Sequence, residues 1–185
     1  MAPRGTGRAG RRRAAPAALA GGDADEVLVV QQDPDIRLWA GGVSSRDEAV
    51  ALLRRLMGQE GRVSWAVTDT SSGALLGSVS VHSIRPAQGN AQIGYWTVPA
   101  ARGRAVAARV VDVSCRWAFA TVPLERVELC HAVENAASGR VAEKAGFILE
   151  GRLRRSYRYG DGVRHDELLW SRLADDPAPD LSSRN

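Results

Sequence analysis

The chain has 185 residues, a length that suits one domain with a sizeable core. It carries 25 Lys and Arg against 21 Asp and Glu, and the formal charge of +4 arises from the first 22 residues, which hold five arginines and no acid. The rest of the chain is close to neutral, so we expect no nucleic-acid surface on the fold itself.

The domain organisation follows from composition. Residues 1–22 are rich in Arg, Ala, Gly and Pro and poor in large apolar side chains, which predicts a disordered basic tail or a misplaced start codon. Such a tail is the one segment expected to reach nucleic acid. Residues 23–174 form the predicted domain, and residues 175–185 are predicted to be a loose tail.

Features that the sequence lacks indicate the compartment of the protein and the state of its cysteines. No apolar run approaches a membrane span and the Arg-rich start has no signal-peptide core, so we expect a cytoplasmic protein without a membrane partner. Cys115 and Cys130 fall in a predicted helix and a predicted strand, which argues against a disulfide framework. No Cys/His pair has metal-ligand spacing, and we therefore expect no metal.

The first half of the domain reads as two helices and an antiparallel hairpin. A helix is predicted for residues 23–32, and the Pro at position 34 ends it. Ser45 and Glu48 form a capping-box signature for a second helix through about Met57. Strands at 64–68 and 74–82 flank a segment of turn-forming residues.

The second half reads as alternating strands and helices. Strands are predicted at 91–98, 126–133, 147–152 and 165–173, with helices at 104–119 and after Asn135 as N-cap. In the first of these helices the spacing predicts a buried side with Val106, Val110, Val113 and Trp117 and an exposed side with Arg109, Asp112 and Arg116. The predicted fold is α/β, a single domain with a mixed, mostly antiparallel sheet flanked by helices.

The junction of the 91–98 strand with the next helix predicts an anion site, because open N–H groups and the helix dipole meet there. The segment lacks the Lys-Ser/Thr of a nucleotide-triphosphate loop and the G-x-G-x-x-G of a dinucleotide turn. Arg102-Gly-Arg-Ala105-Val-Ala107 instead resembles the Arg/Gln-x-x-Gly-x-Gly/Ala turn of the GCN5-related N-acetyltransferases (GNAT). The segment from Glu134 to Phe147 resembles the Asn-x-x-Ser…Glu-Lys-x-Gly-Phe element of their RimJ/RimL branch.

The resemblance implies an acetyl-CoA site. The turn would hold the pyrophosphate, and a splayed strand end would pair with the pantetheine amides. The cofactor-binding residues implied are Trp96, Thr97, Val98, Arg102, Gly103, Arg104, Ala105, Val106, Ala107, Ala108, Asn135 and Ser138. At Ala105 the family prefers Gly, so the added Cβ matters if the backbone there needs a positive φ.

The resemblance also implies three catalytic residues. Asn135 would contact the cofactor or order a water, and Ser138 would hydrogen-bond the leaving sulfur. Tyr157 stands close to where RimL-like relatives carry a carboxylate proposed as base, and its phenol is better suited to donate a proton. Asp166 and Glu134 are the alternative carboxylates, and Asp166 equally suits a structural pair with an Arg.

Trp39 is predicted to lie in a loop near the cleft and to contact the acceptor, whereas the other four tryptophans are assigned to the core. Relatives of this branch begin with a strand before the first helix. Residues 1–22 show no alternating apolar run, so that strand is predicted to be absent or irregular.

The predicted function is transfer of an acetyl group from acetyl-CoA to a primary amine by direct attack in a ternary complex. The acceptor is a protein N-terminus or a small amine, and an α-amino group with a pKa of about 8 needs no strong base. A succinyl-CoA donor, and a non-catalytic module that senses acyl-CoA or docks on nucleic acid, remain the alternatives. The chain is expected to be a monomer or a homodimer.

Overall fold

The computed structural model describes the backbone of residues 14–17 and all of residues 24–181. Its strands are β1 (Ala14–Ala17), β2 (Val63–Asp69), β3 (Leu75–Arg85), β4 (Asn90–Thr97), β5 (Arg126–Ala132), β6 (Ile148–Arg158) and β7 (Arg164–Leu173). Its helices are α1 (Ala24–Val30), α2 (Pro34–Ile36), α3 (Arg46–Gly58), α4 (Val106–Thr121) and α5 (Ala136–Lys144), with a π-helical segment (Arg37–Gly41) after α2. Predictions for residues 1–13, 18–23 and 182–185 lie outside the described residues.

The strands form one sheet in the order β1-β2-β3-β4-β5-β7-β6. Every neighbouring pair is antiparallel except β4 and β5, which run parallel. The predicted mixed, mostly antiparallel sheet is therefore confirmed. The predicted caps are present too, because Ser45 Oγ accepts from Glu48 N–H at 3.2 Å and Asn135 Oδ1 from Ser138 N–H at 3.1 Å.

β1 corrects one prediction. Ala14–Ala17 pairs antiparallel with β2, with Ala14 opposite Asp69 and Ala17 opposite Ala66. A strand is thus present before the first helix, inside the segment predicted to be a disordered tail. The sequence pattern missed it because backbone pairing defines an edge strand, which needs no apolar alternation and tolerates a Pro such as Pro16.

The two faces of the sheet are covered by different helices. Val67, Val79 and Val81 pack in the core that α4 shares, whereas Ala66 packs with α1 and α3. Successive side chains of a strand point to opposite faces. Ser78, Ser80 and His82, which alternate with the two β3 valines, therefore lie on the α3 face.

The buried side of α4 differs from the predicted one. Asp112 is buried and pairs with Arg172 of β7 at 2.9 Å, whereas Val113 is 38% exposed. The buried side instead includes Val106, Val110, Val111, Ser114, Cys115 and Ala118. Helical periodicity placed Asp112 outside because the opposite charge that permits its burial comes from a distant strand.

β4 and β5 are joined over a short stretch only. Their paired residues are Asn90 with Arg126, Ala91 with Val127 and Gln92 with Glu128. Beyond Gln92 the two strands separate, while β4 continues to Thr97 and β5 to Ala132. This separation opens a cleft in the middle of the sheet.

Candidate active site

A cleft of about 1360 Å³ lies where β4 and β5 separate. It brings together residues from the turn before α4, the start of α5, the end of β4 and the β6–β7 hairpin. The predicted site residues that line it are Trp39, Trp96, Thr97, Arg102, Gly103, Arg104, Ala105, Val106, Ala107, Ala108, Asn135, Ser138 and Tyr157.

Val98 is the predicted site residue that does not line the cleft. It is buried, its N–H donates to the Leu76 carbonyl at 3.0 Å, and its carbonyl accepts from Ala101 N–H at 2.9 Å. Both of its backbone groups are thus occupied within the protein. Val98 therefore has no free backbone group for the predicted pairing with a pantetheine arm.

The turn before α4 has the geometry of an anion site. Ala105 is the N-cap residue and makes no side-chain capping bond, so the first-turn N–H groups of Val106, Ala107 and Ala108 have no intrahelical acceptor. Gly103 and Ala105 have φ values of +70° and +54°. The conformation that favours Gly is thus adopted by Ala105, at a cost of about 1 kcal/mol.

Arg102 fixes this turn to the α1–α2 region. Its guanidinium donates to Asp35 at 2.9 Å and also to Asp33, whose carboxylate caps α2 by accepting from Ile36 N–H at 3.0 Å. Burial acts to raise the pKa of Asp33, but the bonds from Arg102 and Ile36 outweigh it and the pKa is lowered. The charge of Arg102 is therefore balanced by two carboxylates. The side chain of Arg104 is 42% exposed, and its guanidinium lies 4.0 Å from the Asp69 carboxylate, which is a longer and weaker ion pair.

Ser138 is held by an unpredicted partner. Its hydroxyl lies 2.8 Å from the hydroxyl of Tyr95, and both side chains line the cleft. Burial raises the pKa of Tyr95 to about 12, so the phenol stays protonated at any working pH. The sequence alone places Tyr95 only on the predicted 91–98 strand, since no motif links it to the start of α5.

Aromatic rings form the wall of the cleft opposite the turn. Tyr159 contacts Trp39 and Tyr157, with ring centroids 5.4 and 4.9 Å apart. Trp39 belongs to the π-helical segment, not to a loop as predicted, and the turn of the β6–β7 hairpin packs directly on that segment. Tyr157 is 56% exposed, and Tyr159 donates to Glu167 at 2.8 Å.

The two alternative carboxylates have structural partners. Asp166 accepts from Arg152 and from the Arg155 N–H, both at 2.7 Å, and thus has the Arg partner considered above. Glu134 lies 3.2 Å from His165, whose other ring nitrogen is 2.9 Å from Asp161. Hydrogen bonds to Asp161 and then to Glu134 raise the pKa of His165.

Across residues 24–181 no three His, Cys, Asp or Glu side chains are grouped so that they could hold a metal ion. None of the helices in this range combines the length and the apolar character that crossing a membrane requires.

A model of the acetyltransferase (GNAT) domain matches residues 16–148, and the chain belongs to this family. It is 34% identical over 105 residues to the putative ribosomal N-acetyltransferase YdaF of Bacillus subtilis (strain 168), and this match covers 55% of each chain. It is also 30% identical over 101 residues to the ribosomal-protein-serine acetyltransferase of Escherichia coli (strain K12), in line with the RimJ/RimL branch. The chain thus matches about half the length of these two relatives.

Solved structures agree on the fold. A putative acetyltransferase from T. thermophilus is 25% identical, with a TM-score of 0.78 over 95% of this chain and 93% of that one. Spermidine N-acetyltransferase from Vibrio cholerae, in complex with CoA and spermine, is 21% identical with a TM-score of 0.76, over 88% of this chain and 96% of that one. The second likeness concerns the fold alone.

Proposed function

We propose that this protein transfers the acetyl group of acetyl-CoA to a primary amine, on a small molecule or at a protein N-terminus, by direct attack in a ternary complex. One observation carries the proposal. The opening between β4 and β5 joins the N-terminus of α4 to the linked hydroxyls of Tyr95 and Ser138. An anion site and a proton donor on one cleft are what transfer from a CoA thioester requires.

The residues present fit a CoA pyrophosphate. The left-handed backbone at Gly103 and Ala105 precedes three open N–H groups, and the positive end of the helix dipole lies at the same point. Arg140 and Lys144 of α5 line the cleft as well. We assign Arg102 to positioning the turn and Arg104 to contact with phosphate oxygens, because only Arg102 is held by two carboxylates.

The thioester supplies an activated carbonyl carbon. The neutral amine nitrogen attacks that carbon, a C–N bond forms as the C–S bond breaks, the amine loses one proton to water, and the thiolate gains one. We assign the proton that the thiolate gains to the Ser138 hydroxyl, which takes a proton from Tyr95 in turn, and the proton that the amine gave to water returns to Tyr95. Asn135 caps α5 and keeps Ser138 at this position, and Tyr157 is the alternative donor.

No strong base is assigned. A peptide α-amino group has a pKa of about 8, so a useful fraction is neutral at working pH. Glu134 stands at the mouth of the cleft, but its pairing with His165 favours a structural role. Water can therefore accept the amine proton, and the acceptor itself is chosen by the shape and charge of the cleft.

The test begins with binding. Acetyl-CoA, succinyl-CoA and free CoA are each titrated into the full chain while the melting temperature is followed, because a ligand that binds only the native state raises its stability. A ligand at one hundred times its Kd contributes about 2.7 kcal/mol. The variant Ala105→Asp, which places a carboxylate in the turn, should abolish the response, whereas Ala120→Asp at the exposed end of α4 should preserve it.

Turnover is measured next, as release of free thiol with a panel of amines. Release with acetyl-CoA in excess of the rate without amine supports the proposal, and faster release with succinyl-CoA would change the donor. Binding of acyl-CoA with no release for any amine would instead favour the sensing module. Deletion of residues 1–13 leaves β1 in place and tests whether the basic tail is an accessory, since turnover should then persist.

A further inference from the structure

The cleft has a second half on the α3 face of the sheet. Arg62 precedes β2, His82 belongs to β3, and Arg55 and Gln59 lie on α3 and at its C-terminal end, and all four line the cleft. This half is built from α3, β3 and the residue before β2, whereas the turn proposed for the pyrophosphate precedes α4. It is therefore the half in which the non-reacting part of an acceptor would lie.

This half carries unbalanced positive charge. Within residues 24–181, neither Arg55 nor Arg62 forms an ion pair with a carboxylate, and Arg62 Nε donates instead to the amide oxygen of Gln59 at 3.1 Å. Burial and the positive charge of Arg55 both lower the pKa of Arg62. Two arginines that repel each other, one of them partly buried, cost stability unless an anion binds between them.

His82 adds a neutral polar group to the same place. Burial and the charge of Arg62 lower its pKa to about 4, so the imidazole is uncharged at neutral pH. Its Nδ1 lies 3.2 Å from the Ser83 hydroxyl. When Nδ1 accepts from that hydroxyl, Nε2 carries the ring proton and can donate it to an oxygen.

The acidic residues that line the cleft do not pair with Arg55 or Arg62, and each has another partner. Of its described lining residues, the carboxylates are Asp35 and Glu134. Asp35 accepts from Arg102 at 2.9 Å, and Glu134 pairs with His165 at 3.2 Å. A second ammonium group on the acceptor would thus find no carboxylate beside Arg55 and Arg62 and would meet like charge instead.

We propose that Arg55, Arg62 and His82 form a subsite for an oxyanion of the acceptor, a carboxylate or a phosphate. The acceptor is then an amine that bears a negative group a short chain away from its amino nitrogen, and it is not a polyamine. This inference rests on the proposed function, because it names the substrate class of that same cleft.

The experiment uses four amines of similar length with acetyl-CoA and the full chain: 5-aminopentanoate, 5-aminopentyl phosphate, 5-amino-1-pentanol and 1,5-diaminopentane. Thiol release gives kcat/KM for each. The anionic amines should exceed the neutral alcohol at least tenfold, and the diamine should be the poorest. The better of the two anionic amines identifies the oxyanion.

Arg55→Gln and Arg62→Gln should each reduce kcat/KM for the anionic amines about tenfold through KM while leaving the alcohol unchanged. Arg54→Gln is the matched control, because Arg54 is an exposed neighbour on α3 that does not line the cleft. Equal rates for all four amines, or an equal loss for all four in the variants, would overturn the subsite while the proposed function stands.

Binding without turnover separates the two proposals. The CoA-saturated protein is titrated with the same amines and its melting temperature is followed. A rise with 5-aminopentanoate or 5-aminopentyl phosphate that Arg62→Gln removes, in the absence of any thiol release, would support the subsite and reject the transferase reaction. No rise and no release would reject both.

Discussion

Gly160 donates its backbone N–H to the carbonyl of Leu38 at 2.9 Å, which joins the β6–β7 turn to the π-helical segment that carries Trp39. A Cβ at Gly160 would lie 2.0 Å from the Arg37 carbonyl oxygen, so only Gly permits this approach. One wall of the cleft therefore depends on a contact between two segments that are far apart in the sequence.

Gly160→Ala should lift the hairpin from the π-helical segment. The overlap with the Arg37 backbone cannot be relieved by a side-chain rotation, so we expect a loss of about 1–3 kcal/mol in the free energy of unfolding. The KM for the amine should rise because Trp39 and Tyr159 no longer meet. Chemical denaturation and thiol-release kinetics measure the two effects.

The matched control is Gly151→Ala in β6, where a Cβ would have nothing within 4 Å. It should leave both quantities nearly unchanged. The melting response to acetyl-CoA should also persist in Gly160→Ala, since the turn before α4 is untouched. An unaltered KM in that variant would mean that the hairpin does not shape the acceptor site.

Ala105→Gly should stabilise the protein and tighten acyl-CoA binding. Relief of the left-handed strain offsets the greater freedom of Gly in the unfolded chain, which leaves a gain of about 0.5–1 kcal/mol. Ala107→Gly is the control and should destabilise the protein, because Gly in place of Ala within a helix lowers the free energy of unfolding by about 0.5–1 kcal/mol. Thermal denaturation and acetyl-CoA titration of both variants measure the difference.

Tyr95→Phe should lower kcat about tenfold with little change in either KM, because Ser138 loses the hydroxyl that holds it. Ser138→Ala should cost at least as much, and the double variant little more, since the two hydroxyls act as one unit. Tyr157→Phe is the comparison. If it reduces kcat more than Tyr95→Phe does, the proton donor is Tyr157 and our assignment is wrong.

Local signals were enough for most of the fold. The cap at Asn135, the turn residues between β2 and β3 and the apolar content of the strands each act within a few residues, so the sequence alone predicts them. The turn before α4 was predicted in the same way. A short sequence motif is enough to predict this turn, because the N–H groups of its anion site belong to consecutive residues.

Long-range pairs account for what was missed. Asp112 was placed on the outside because its partner Arg172 lies on the last strand, and the Tyr95–Ser138 bond joins two elements with no shared motif. Trp39 is predicted to lie in a loop, and its segment contacts the distant β6–β7 turn through the Gly160–Leu38 hydrogen bond. In each case the deciding interaction is made by residues that periodicity and spacing cannot bring together.

Asp112→Asn should destabilise the fold by about 3 kcal/mol, because it leaves the buried guanidinium of Arg172 without a counter-charge. Arg116→Ala is the control. Arg116 pairs with the same carboxylate at 3.0 Å but is 60% exposed, so its loss should cost no more than about 0.5 kcal/mol. Urea denaturation gives both values, and equal losses would contradict the buried pair.

His165 should make stability depend on pH near neutrality. Its pKa in the folded protein lies above the ordinary 6.5, so its contribution is complete below the unfolded pKa and disappears as the pH rises through the folded one. The melting temperature of the wild type should exceed that of His165→Gln at pH 5.5, and the two should converge by about pH 8. An NMR titration that places the pKa of His165 at or below 6.5 would contradict this.

Arg172 has a further consequence for the cleft. Its Nη1 donates to Asp112 of α4 and, at 3.1 Å, to the Ala145 carbonyl at the end of α5. It thus ties both helices to β7. Because α4 begins at the turn proposed for the pyrophosphate and α5 carries Ser138, binding energy from a CoA thioester is not consumed in bringing these two helices together and remains available for affinity.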